Sequence, residues 1–289
     1  MTDFATRDQA MPVSRMTAFA SRLARHWLPP ALRHALNRMA GQTFHYSGRF
    51  DTWQEACSAA DGYDDKRIIE RIHSAALAVH EGRAAWEQDG ESHPEIILNF
   101  PVLACLAKAT RKDDTLRVLD IGGGFGSSWL QASQGMPDIK LHWTIVEQER
   151  VVSLARQDFN NQGVRYTHSL DEALATNEYD LALLSSVLQY IATPHAILDQ
   201  LASSEIKWIV IDRHPCSNAG EVITIQHCPR RLYKATYPSW LFDCESLRSK
   251  LNLTHDLALS WQGQDQPIQG DGFHASFAGM CWKRRGEHT

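Results

Sequence analysis

A glycine-rich stretch in the middle of the chain is the strongest chemical signal in the sequence. Residues 118–126 read VLDIGGGFG, with an apolar run before the glycines and a helical pattern after them. Glycine lets the backbone turn sharply and approach a ligand closely, and a helix that begins there offers free N–H groups. We therefore predict a ligand-binding turn between a strand and a helix, formed by Asp120, Gly122, Gly123, Gly124 and Gly126.

The spacing of these glycines separates two classes of ligand. A dinucleotide-binding turn uses GxGxxG, but the third glycine would fall at position 127, which is Ser127. Asp120 precedes the loop, and a carboxylate aimed at a pyrophosphate would repel it. The same carboxylate suits a ligand with an ammonium group and ribose hydroxyls. S-adenosylmethionine (SAM), an amino acid joined through a sulfonium to a nucleoside, is such a ligand.

A second acidic residue stands where the next strand should end. Glu147 lies 21 residues beyond Gly126 and is followed by Gln148. An acid at this place accepts hydrogen bonds from the two hydroxyls of a ribose. NAD carries a free diol there too, so Glu147 alone does not separate the two ligands. The glycine spacing, Asp120 and Glu147 together favour SAM.

The chain from residue 115 to residue 285 resembles a class I SAM-dependent methyltransferase. A more specific resemblance runs from residue 44 to the C-terminus, to a sparsely characterised bacterial methyltransferase family associated with surface-polysaccharide or secondary-metabolite pathways. The chain departs from the family's IDRTP pattern at His214, where threonine is expected. The segments that carry the resemblance are YSGRFDTWQEA (46–56), GYDD (62–65), LDIGGGFGSSW (119–129), WTIVEQ (143–148), LLSSVLQYI (183–191), IVIDRHP (209–215) and YPSWLF (237–242).

This resemblance implies further cofactor contacts at the ends of the predicted strands. His168 closes the third strand, where the adenine edge is usually met, and the alternative is a surface histidine. Ser185 and Ser186 end the fourth strand, close to the expected methionine moiety of SAM. Gln189 follows on the rim that faces the substrate.

The predicted end of the fifth strand is the natural place for acid–base chemistry. Methyl transfer from a sulfonium is an in-line displacement, and a hydroxyl acceptor must lose its proton as it attacks. We expect His214 as the general base, with His227 and Tyr237 as competitors, and we expect Asp212 either to orient His214 or to lie near the methyl donor. Arg213 is expected to hold an acidic substrate through a fork of hydrogen bonds. The alternatives are that Asp212 caps a turn and that Arg213 pairs with a surface acid.

The segment 226–242 is aromatic and basic, and we expect it to form one wall of the acceptor pocket. An acidic or phosphorylated sugar would suit that wall, with the region before residue 112 as a lid. The alternative is that the aromatic side chains pack this lid against the sheet. The side chains concerned are Arg230, Arg231, Tyr233, Lys234, Tyr237 and Trp240.

The elements that must position these residues follow a regular alternation. Short apolar runs alternate with helical patterns from residue 115 onwards, which predicts an α/β, Rossmann-like, doubly wound and mostly parallel seven-stranded sheet with an N-terminal helical cap. The cap spans residues 44–112 and the SAM-binding methyltransferase domain spans 113–289. The predicted strands are 116–121, 141–146, 164–167, 180–184, 206–211, 253–261 and 273–282.

Composition sets the broad class of protein. The chain has 289 residues, of which 43% are hydrophobic and 22% charged, so it can bury a sizeable core. The net charge of −5 divides into +4 for residues 1–45 and −9 for the remainder. An acidic body argues against a nucleic-acid partner, and a small-molecule or sugar acceptor is expected instead. Six cysteines without a CxxC pair predict reduced thiols, no metal site and a cytoplasmic location.

Residues 1–43 form a basic leader with a predicted amphipathic helix. Its segment 11–40 either makes a weak contact with a membrane surface or another subunit, or docks on its own domain. No apolar run in the chain reaches the roughly 18 residues of a transmembrane helix.

Three rival functions stay open at this point. The first is an NAD-binding oxidoreductase or epimerase, although no YxxxK motif occurs in the chain. The second is a SAM-binding partner protein without transferase activity. The third is a membrane-docked partner subunit that uses residues 11–40.

Overall fold

The structure is a computed structural model that describes residues 44–61, 66–159, 163–229, 235–270 and 272–286. The predicted leader and its membrane or subunit contact lie outside these residues. So do the segment 62–65 and the side chains of Arg230, Arg231, Tyr233 and Lys234 from the predicted pocket wall.

Strands and helices alternate through most of the described chain. The strands are β1 (His45–Phe50), β2 (Trp86–Gln88), β3 (Glu91–His93), β4 (Thr115–Ile121), β5 (Lys140–Val146), β6 (Val164–Thr167), β7 (Leu181–Ser185), β8 (Trp208–Ser217), β9 (Val222–His227), β10 (Thr236–Leu241), β11 (His255–Gln262), β12 (Ile268–Gly270) and β13 (Phe273–Arg284). The α-helices are α1 (Trp53–Ala59), α2 (Lys66–His80), α3 (Phe100–Ala109), α4 (Ser127–Gly135), α5 (Glu149–Asp158), α6 (Leu170–Thr176), α7 (Pro194–Ser203) and α8 (Cys244–Leu251), and a 3₁₀ turn spans Leu188–Tyr190.

The large sheet has the order β11-β13-β8-β7-β4-β5-β6, and β12 adds to β13. The five strands from β4 to β8 run parallel, whereas β13 is antiparallel to both β8 and β11. This arrangement confirms the predicted α/β, Rossmann-like and mostly parallel sheet. Its seven-strand path also includes the two C-terminal strands that the sequence predicts.

The central strands are apolar on both faces, as a doubly covered sheet requires. On one face Val118, Leu183 and Val210 pack with residues of α3, α4 and α5. On the other face Leu119 and Leu184 pack with residues of α7 and α8. The two cores hold the carboxyl ends of the parallel strands at one edge of the sheet.

The strand order reverses direction between β4 and β7. From β4 the chain winds outwards through β5 and β6, and then returns to place β7 and β8 on the other side of β4. Neighbouring connections therefore leave in opposite directions and open a crevice beyond the carboxyl ends of these two strands. Ligands of doubly wound proteins bind at such a point.

The region 44–112 differs from the predicted helical cap, because it contains strands as well as helices. β1 pairs with β9, and β9 with β10, in a separate three-stranded antiparallel sheet. β2 and β3 form a hairpin around Asp89 and Gly90, which both have positive φ angles, 52° and 76°. Asp-Gly is a preferred pair for such two-residue turns. The boundaries of the cap and of the methyltransferase domain stay predictions.

The prediction of six reduced thiols is wrong for one pair, because Cys216 and Cys244 form a disulfide with a Cα–Cα distance of 5.3 Å. Backbone hydrogen bonds between β8 and Phe242 hold the two residues side by side: Phe242 N–H donates to Pro215 O at 2.8 Å, and Ser217 N–H donates to Phe242 O at 2.8 Å. Within the described residues, Cys57, Cys105, Cys228 and Cys281 are not joined in disulfides.

Within the described part of the chain, no helix is both long enough and apolar enough to span a bilayer.

Candidate functional site

The glycine loop lies at the crevice, at the end of β4. Gly122, Gly124 and Gly126 have φ angles of 73°, 56° and 100°, a region that glycine adopts most readily. A Cβ on Gly122 would approach Val187 Cγ2 to 2.3 Å, and one on Gly123 would approach Asp120 Oδ2 to 2.5 Å. At Gly124 the same construction meets nothing within 4 Å. The loop is therefore tightly packed from within, and open at Gly124.

Asp120 supports this loop from inside the protein. Its side chain is 1% exposed and accepts a hydrogen bond from Trp143 Nε1 at 2.9 Å. Burial raises the pKa of Asp120 to about 7, and the nearby Glu147 carboxylate adds to the rise. The sequence predicts Asp120 as a cofactor contact, but the structure places its carboxylate beneath Gly123.

Glu147 lies over the loop at the end of β5. Its Oε1 accepts from the Gly124 N–H at 3.2 Å, and its Oε2 accepts from the Gln148 N–H at 2.8 Å. The residue is partly exposed, and burial of the carboxylate raises its pKa. The sequence predicts this acid beside the glycine loop, and the structure brings the two together. Gln148 and His168 are both exposed at the ends of their strands.

The other side of the crevice is formed by the ends of β7 and β8. Ser185 Oγ donates to Asp212 Oδ2 at 3.0 Å, and the Ser186 N–H donates to Asp212 O at 2.8 Å. Ser186 has a φ of 55°, and its Oγ accepts from Gln189 Nε2 at 2.9 Å. Ser185 and Ser186, predicted near the methionine moiety, and Gln189, predicted on the substrate rim, thus form one connected group through Asp212. Gln189 is buried and its Oε1 has no hydrogen-bond partner among the described residues.

Asp212 is a buried acceptor for side chains from three other elements. Besides Ser185, Asn99 Nδ2 donates to Oδ2 at 2.8 Å and Trp261 Nε1 donates to Oδ1 at 3.0 Å. Burial raises the pKa of Asp212, although these hydrogen bonds oppose the rise. Asn99 also caps α3. Asp212 therefore ties α3 and β11 to the crevice, and its carboxylate is engaged by these three donors.

Arg213 is already occupied by carboxylates of the protein. Its Nε donates to Asp265 Oδ2 at 3.1 Å, and its Nη2 donates to Asp89 Oδ2 at 3.2 Å. The amide oxygen of Gln88, in the orientation that satisfies both groups, accepts from Nη1 at 2.8 Å. Burial would lower the pKa of Arg213, but the two carboxylates outweigh it and raise the pKa. The predicted role of holding an acidic substrate is not supported.

His214 is fully buried and its Nε2 accepts from the Leu188 N–H at 3.1 Å. Burial lowers the pKa of His214 to about 3, so the ring is neutral at physiological pH. This geometry differs from the predicted general base, because the lone pair of Nε2 is engaged by the backbone. The histidine holds the 3₁₀ turn that follows Ser186.

Tyr237 is buried in a polar cluster on the small sheet. Its hydroxyl accepts from Gln226 Nε2 at 3.2 Å, while Gln226 Oε1 accepts from Tyr190 at 3.0 Å and from Tyr46 at 2.9 Å. The nearby Trp240 ring stacks on Trp53 with centroids 5.8 Å apart. These aromatic side chains pack the N-terminal region against β9 and β10, which was the alternative to a pocket wall.

The sequence analysis does not identify several residues that contact the site. Asn99, Trp261 and Asp265 reach it through tertiary packing alone. The hairpin of β2 and β3 had a detectable signal, the Asp89-Gly90 pair between two short polar strands.

The cavities do not by themselves identify the site. A cavity of about 370 Å³ lies beside β6, and no residue of the glycine loop lines it. A cavity of about 30 Å³ adjoins Gly124 and Glu147 and is covered by Ile68, Ile69 and Ile72 of α2. We place the site at the crevice, because the strand order and the glycine loop coincide there. Within the described ranges, no group of three or more His, Cys, Asp or Glu side chains is placed to hold a metal ion.

No protein-family model matches the sequence, and no curated protein matches it either. Among solved structures, the chain is similar to a Burkholderia thailandensis 1,6-didemethyltoxoflavin-N1-methyltransferase, solved with 1,6-didemethyltoxoflavin and S-adenosylhomocysteine (SAH). The identity is 16%, the alignment covers 75% of this chain and 88% of that one, and the TM-score is 0.43.

Two further structures are similar at comparable levels. The N-terminal domain of EvdMO1, solved in the presence of SAH and D-fucose, shares 14% identity over 78% of this chain and 98% of that one, with a TM-score of 0.47. Human N-acetylserotonin methyltransferase in complex with SAM shares 15% identity over 64% of this chain and 52% of that one, with a TM-score of 0.40. At these identities we argue function from the site itself.

Proposed function

We propose that this chain is a SAM-dependent methyltransferase that acts on a small molecule or glycan precursor, most simply at a hydroxyl oxygen. The observation that carries the proposal is the Glu147 carboxylate, held against Gly124 at the point where the strand order reverses. An acid in this position suits the two hydroxyls of a ribose.

The residues at the crevice fit a cationic nucleoside ligand. Gly124 leaves space above the loop, and the buried acids Asp120 and Glu87 contact the nearby residues Gly123 and Ser127. When bound, SAM supplies a methyl group activated by a sulfonium. The chain's own contribution is to hold the ribose through Glu147 and to shape the floor through Ser186 and Gln189.

Positioning is the main catalytic device that we propose. The side chains of Asp212, Arg213, His214 and Tyr237 each make hydrogen bonds within the protein, so none is offered as a general base, and the hydroxyl proton of the acceptor is released to water as the methyl group is transferred. Holding two reactants in line contributes about 7–11 kcal/mol in favourable cases. Because the sulfonium already activates the methyl group, in-line positioning of donor and acceptor is the main contribution that we propose for the protein.

The charges near the crevice favour an uncharged, hydroxyl-bearing acceptor. Asp89 and Asp265 together outweigh the single positive charge of Arg213. An acidic sugar would meet this net negative charge. We therefore propose a neutral sugar-like or other small hydroxylated acceptor in place of an acidic one.

Calorimetric titration with SAH and with NAD tests the cofactor. We expect the protein to bind SAH and not NAD. Glu147→Gln should weaken SAH binding roughly 10- to 100-fold, because hydrogen bonds to a charged group contribute about 1.5–3 kcal/mol. Glu149→Gln, an exposed acid two residues away, is the control and should bind as the wild type does.

Tighter binding of NAD than of SAH would overturn the proposal in favour of an oxidoreductase or epimerase. Transfer of labelled methyl from SAM to a panel of neutral hydroxylated acceptors then tests the activity. Binding of SAH without transfer to any acceptor would favour the non-catalytic partner protein.

A further inference from the structure

The hairpin of β2 and β3 places a buried carboxylate next to the glycine loop. Glu87 is 7% exposed, and its Oε1 accepts a hydrogen bond from the hydroxyl of Ser127, the first residue of α4. Its Oε2 is buried and has no hydrogen-bond partner among the described residues. Burial raises the pKa of Glu87 to about 7, and the charge of Asp89 adds to the rise. A buried carboxylate oxygen without a donor is destabilising unless a ligand supplies one.

The position of Glu87 relates it to the crevice. The side chains of β2 and of its turn reach two different elements: Glu87 contacts Ser127, whereas Gln88 and Asp89 contact Arg213. Ser127 follows the glycine loop of β4, and Arg213 lies on β8 just beyond the last residue of β8 that pairs with β7. The hairpin therefore bridges the two sides of the crevice.

A ligand whose ribose is held at Glu147 has its other end free to extend towards this hairpin. Glu147 lies at the end of β5, on the far side of β4 from β7 and β8. Glu87 contacts Ser127, at the start of α4, whereas Glu147 contacts Gly124 in the middle of the loop. The two acids thus meet the glycine loop and the helix after it at different residues.

We propose that Glu87 binds the ammonium group at the amino-acid end of the cofactor. This inference rests on the proposed SAM-dependent function. An ammonium group provides donors for the unpartnered Oε2, and its positive charge compensates the buried carboxylate. Glu87 is then a binding residue that the N-terminal hairpin contributes to a site otherwise built from the large sheet.

The test compares two ligands that differ only beyond the sulfur. SAH carries the amino-acid end, whereas 5′-methylthioadenosine keeps the nucleoside and sulfur without it. For Glu87→Gln we expect SAH binding to weaken at least about tenfold, as for a lost charge-assisted hydrogen bond, and 5′-methylthioadenosine to bind within about twofold of the wild type. Glu87→Asp, which keeps the charge, should recover part of the SAH affinity. The matched control is Glu95→Gln, an exposed acid shortly after the hairpin.

The outcomes separate this inference from the proposed function. Wild-type binding of SAH that Glu87→Gln leaves unchanged would overturn the inference alone. Equal weakening of both ligands would also overturn it, because Glu87 would then only support the fold of the hairpin. Wild-type protein that binds neither ligand would overturn the proposed function, and the inference with it. A circular-dichroism melt of each variant verifies that it is folded.

Discussion

Three buried carboxylates lie near the crevice, and they differ in the number of hydrogen bonds that they accept. Asp212 receives three hydrogen-bond donors, Asp120 receives one from Trp143, and Glu87 receives one from Ser127. Burial raises the pKa of all three, to about 7 for Asp120 and Glu87. Such groups lower stability when they are charged, which is the usual consequence of building a binding site from buried acids.

The pH dependence of folding provides one test at this scale. The folded-state pKa of Glu87, about 7, lies above the ordinary glutamate value of 4.5, so the folded protein binds more protons than the unfolded one between these values. Stability from this group is therefore complete below the unfolded pKa and is lost as pH rises to about 7. Without ligand at pH 8, the free energy of unfolding of Glu87→Gln should exceed that of the wild type by about 1–3 kcal/mol.

Urea unfolding at pH 4 and pH 8 measures this difference. The two proteins should have similar stability at pH 4, where the wild-type carboxyl is protonated. Glu95→Gln should behave as the wild type at both pH values. If Glu87→Gln is no more stable than the wild type at pH 8, the conclusion that Glu87 is a buried, charged side chain at that pH is wrong.

A second prediction concerns the role of His214. His214→Gln can still offer an acceptor to the Leu188 N–H, whereas His214→Leu leaves that buried donor unpaired, a loss of about 1–3 kcal/mol. We expect the glutamine variant to keep most of its stability and kcat, and the leucine variant to lose stability. If His214 were the general base, both variants would lose kcat about 10²- to 10⁴-fold. Melting and single-turnover methyl transfer, measured side by side, separate the two roles.

At the scale of elements, the site depends on how one small hairpin is docked. The turn between β2 and β3 needs positive φ at both central positions, and Arg213 then joins the turn residue Asp89 to Asp265. Asp89 is about half exposed, with 53% of its side-chain surface accessible. An ion pair this accessible adds little stability, so the turn geometry should matter more than the charge.

Two substitutions in the turn separate these effects. Gly90→Ala forces a residue with a side chain to φ 76°, and its Cβ would lie 3.1 Å from Arg71 Cγ. Left-handed backbone costs about 1–2 kcal/mol for such a residue. Asp89→Asn keeps a residue suited to the turn and removes only the charge. We expect faster hydrogen exchange in β2 and β3 for Gly90→Ala and nearly unchanged exchange for Asp89→Asn. The reverse pattern would show that the ion pair docks the hairpin.

At the scale of the whole molecule, helix α2 narrows the crevice beside the glycine loop. Ile68, Ile69 and Ile72 of α2 cover the cavity at Gly124 and Glu147, whose volume of about 30 Å³ is that of one water molecule. Pockets for small ligands and cofactors measure about 300–1,000 Å³. We therefore expect α2 to move relative to the large sheet when a nucleoside binds at Glu147.

The kinetics of binding should reveal this movement. We expect the observed rate of SAH association to level off at high SAH concentration, because opening of α2 then limits it. Ile72→Ala, which trims the covering side chain, should raise the limiting rate, and hydrogen exchange along α2 should change when SAH binds. A rate that rises linearly with concentration and is the same in Ile72→Ala would contradict the closed arrangement. Stopped-flow tryptophan fluorescence follows the reaction.

The disulfide also belongs to the whole molecule, because it joins the large sheet to α8. Its 28-residue sequence separation constrains the unfolded chain. Disulfides persist in oxidising compartments and are rare in the cytosol. The pairing of Cys216 with Cys244 is therefore at odds with the reasoning from reduced thiols to a cytoplasmic location.

The sequence by itself determined the parts of this protein that depend on local chemistry. Positive φ at Gly122, Gly124 and Gly126 and an acid at the end of β5 follow from residue type and spacing. The alternation of apolar runs with helical patterns likewise determined the parallel sheet, because each run must be buried on two faces.

Only the tertiary structure decided what the polar side chains do. Asn99 reaches Asp212 across 113 positions of sequence, and Arg213 reaches Asp89 across 124. No local pattern encodes such pairs, because they arise when separate elements pack. Packing buried His214 and engaged its Nε2 in a hydrogen bond. It also paired the charge of Arg213 with two carboxylates and brought Glu87 to the helix that follows the glycine loop. The physical reason is that burial and hydrogen-bond partners, which decide whether a charged group is available for chemistry, are properties of the assembled fold.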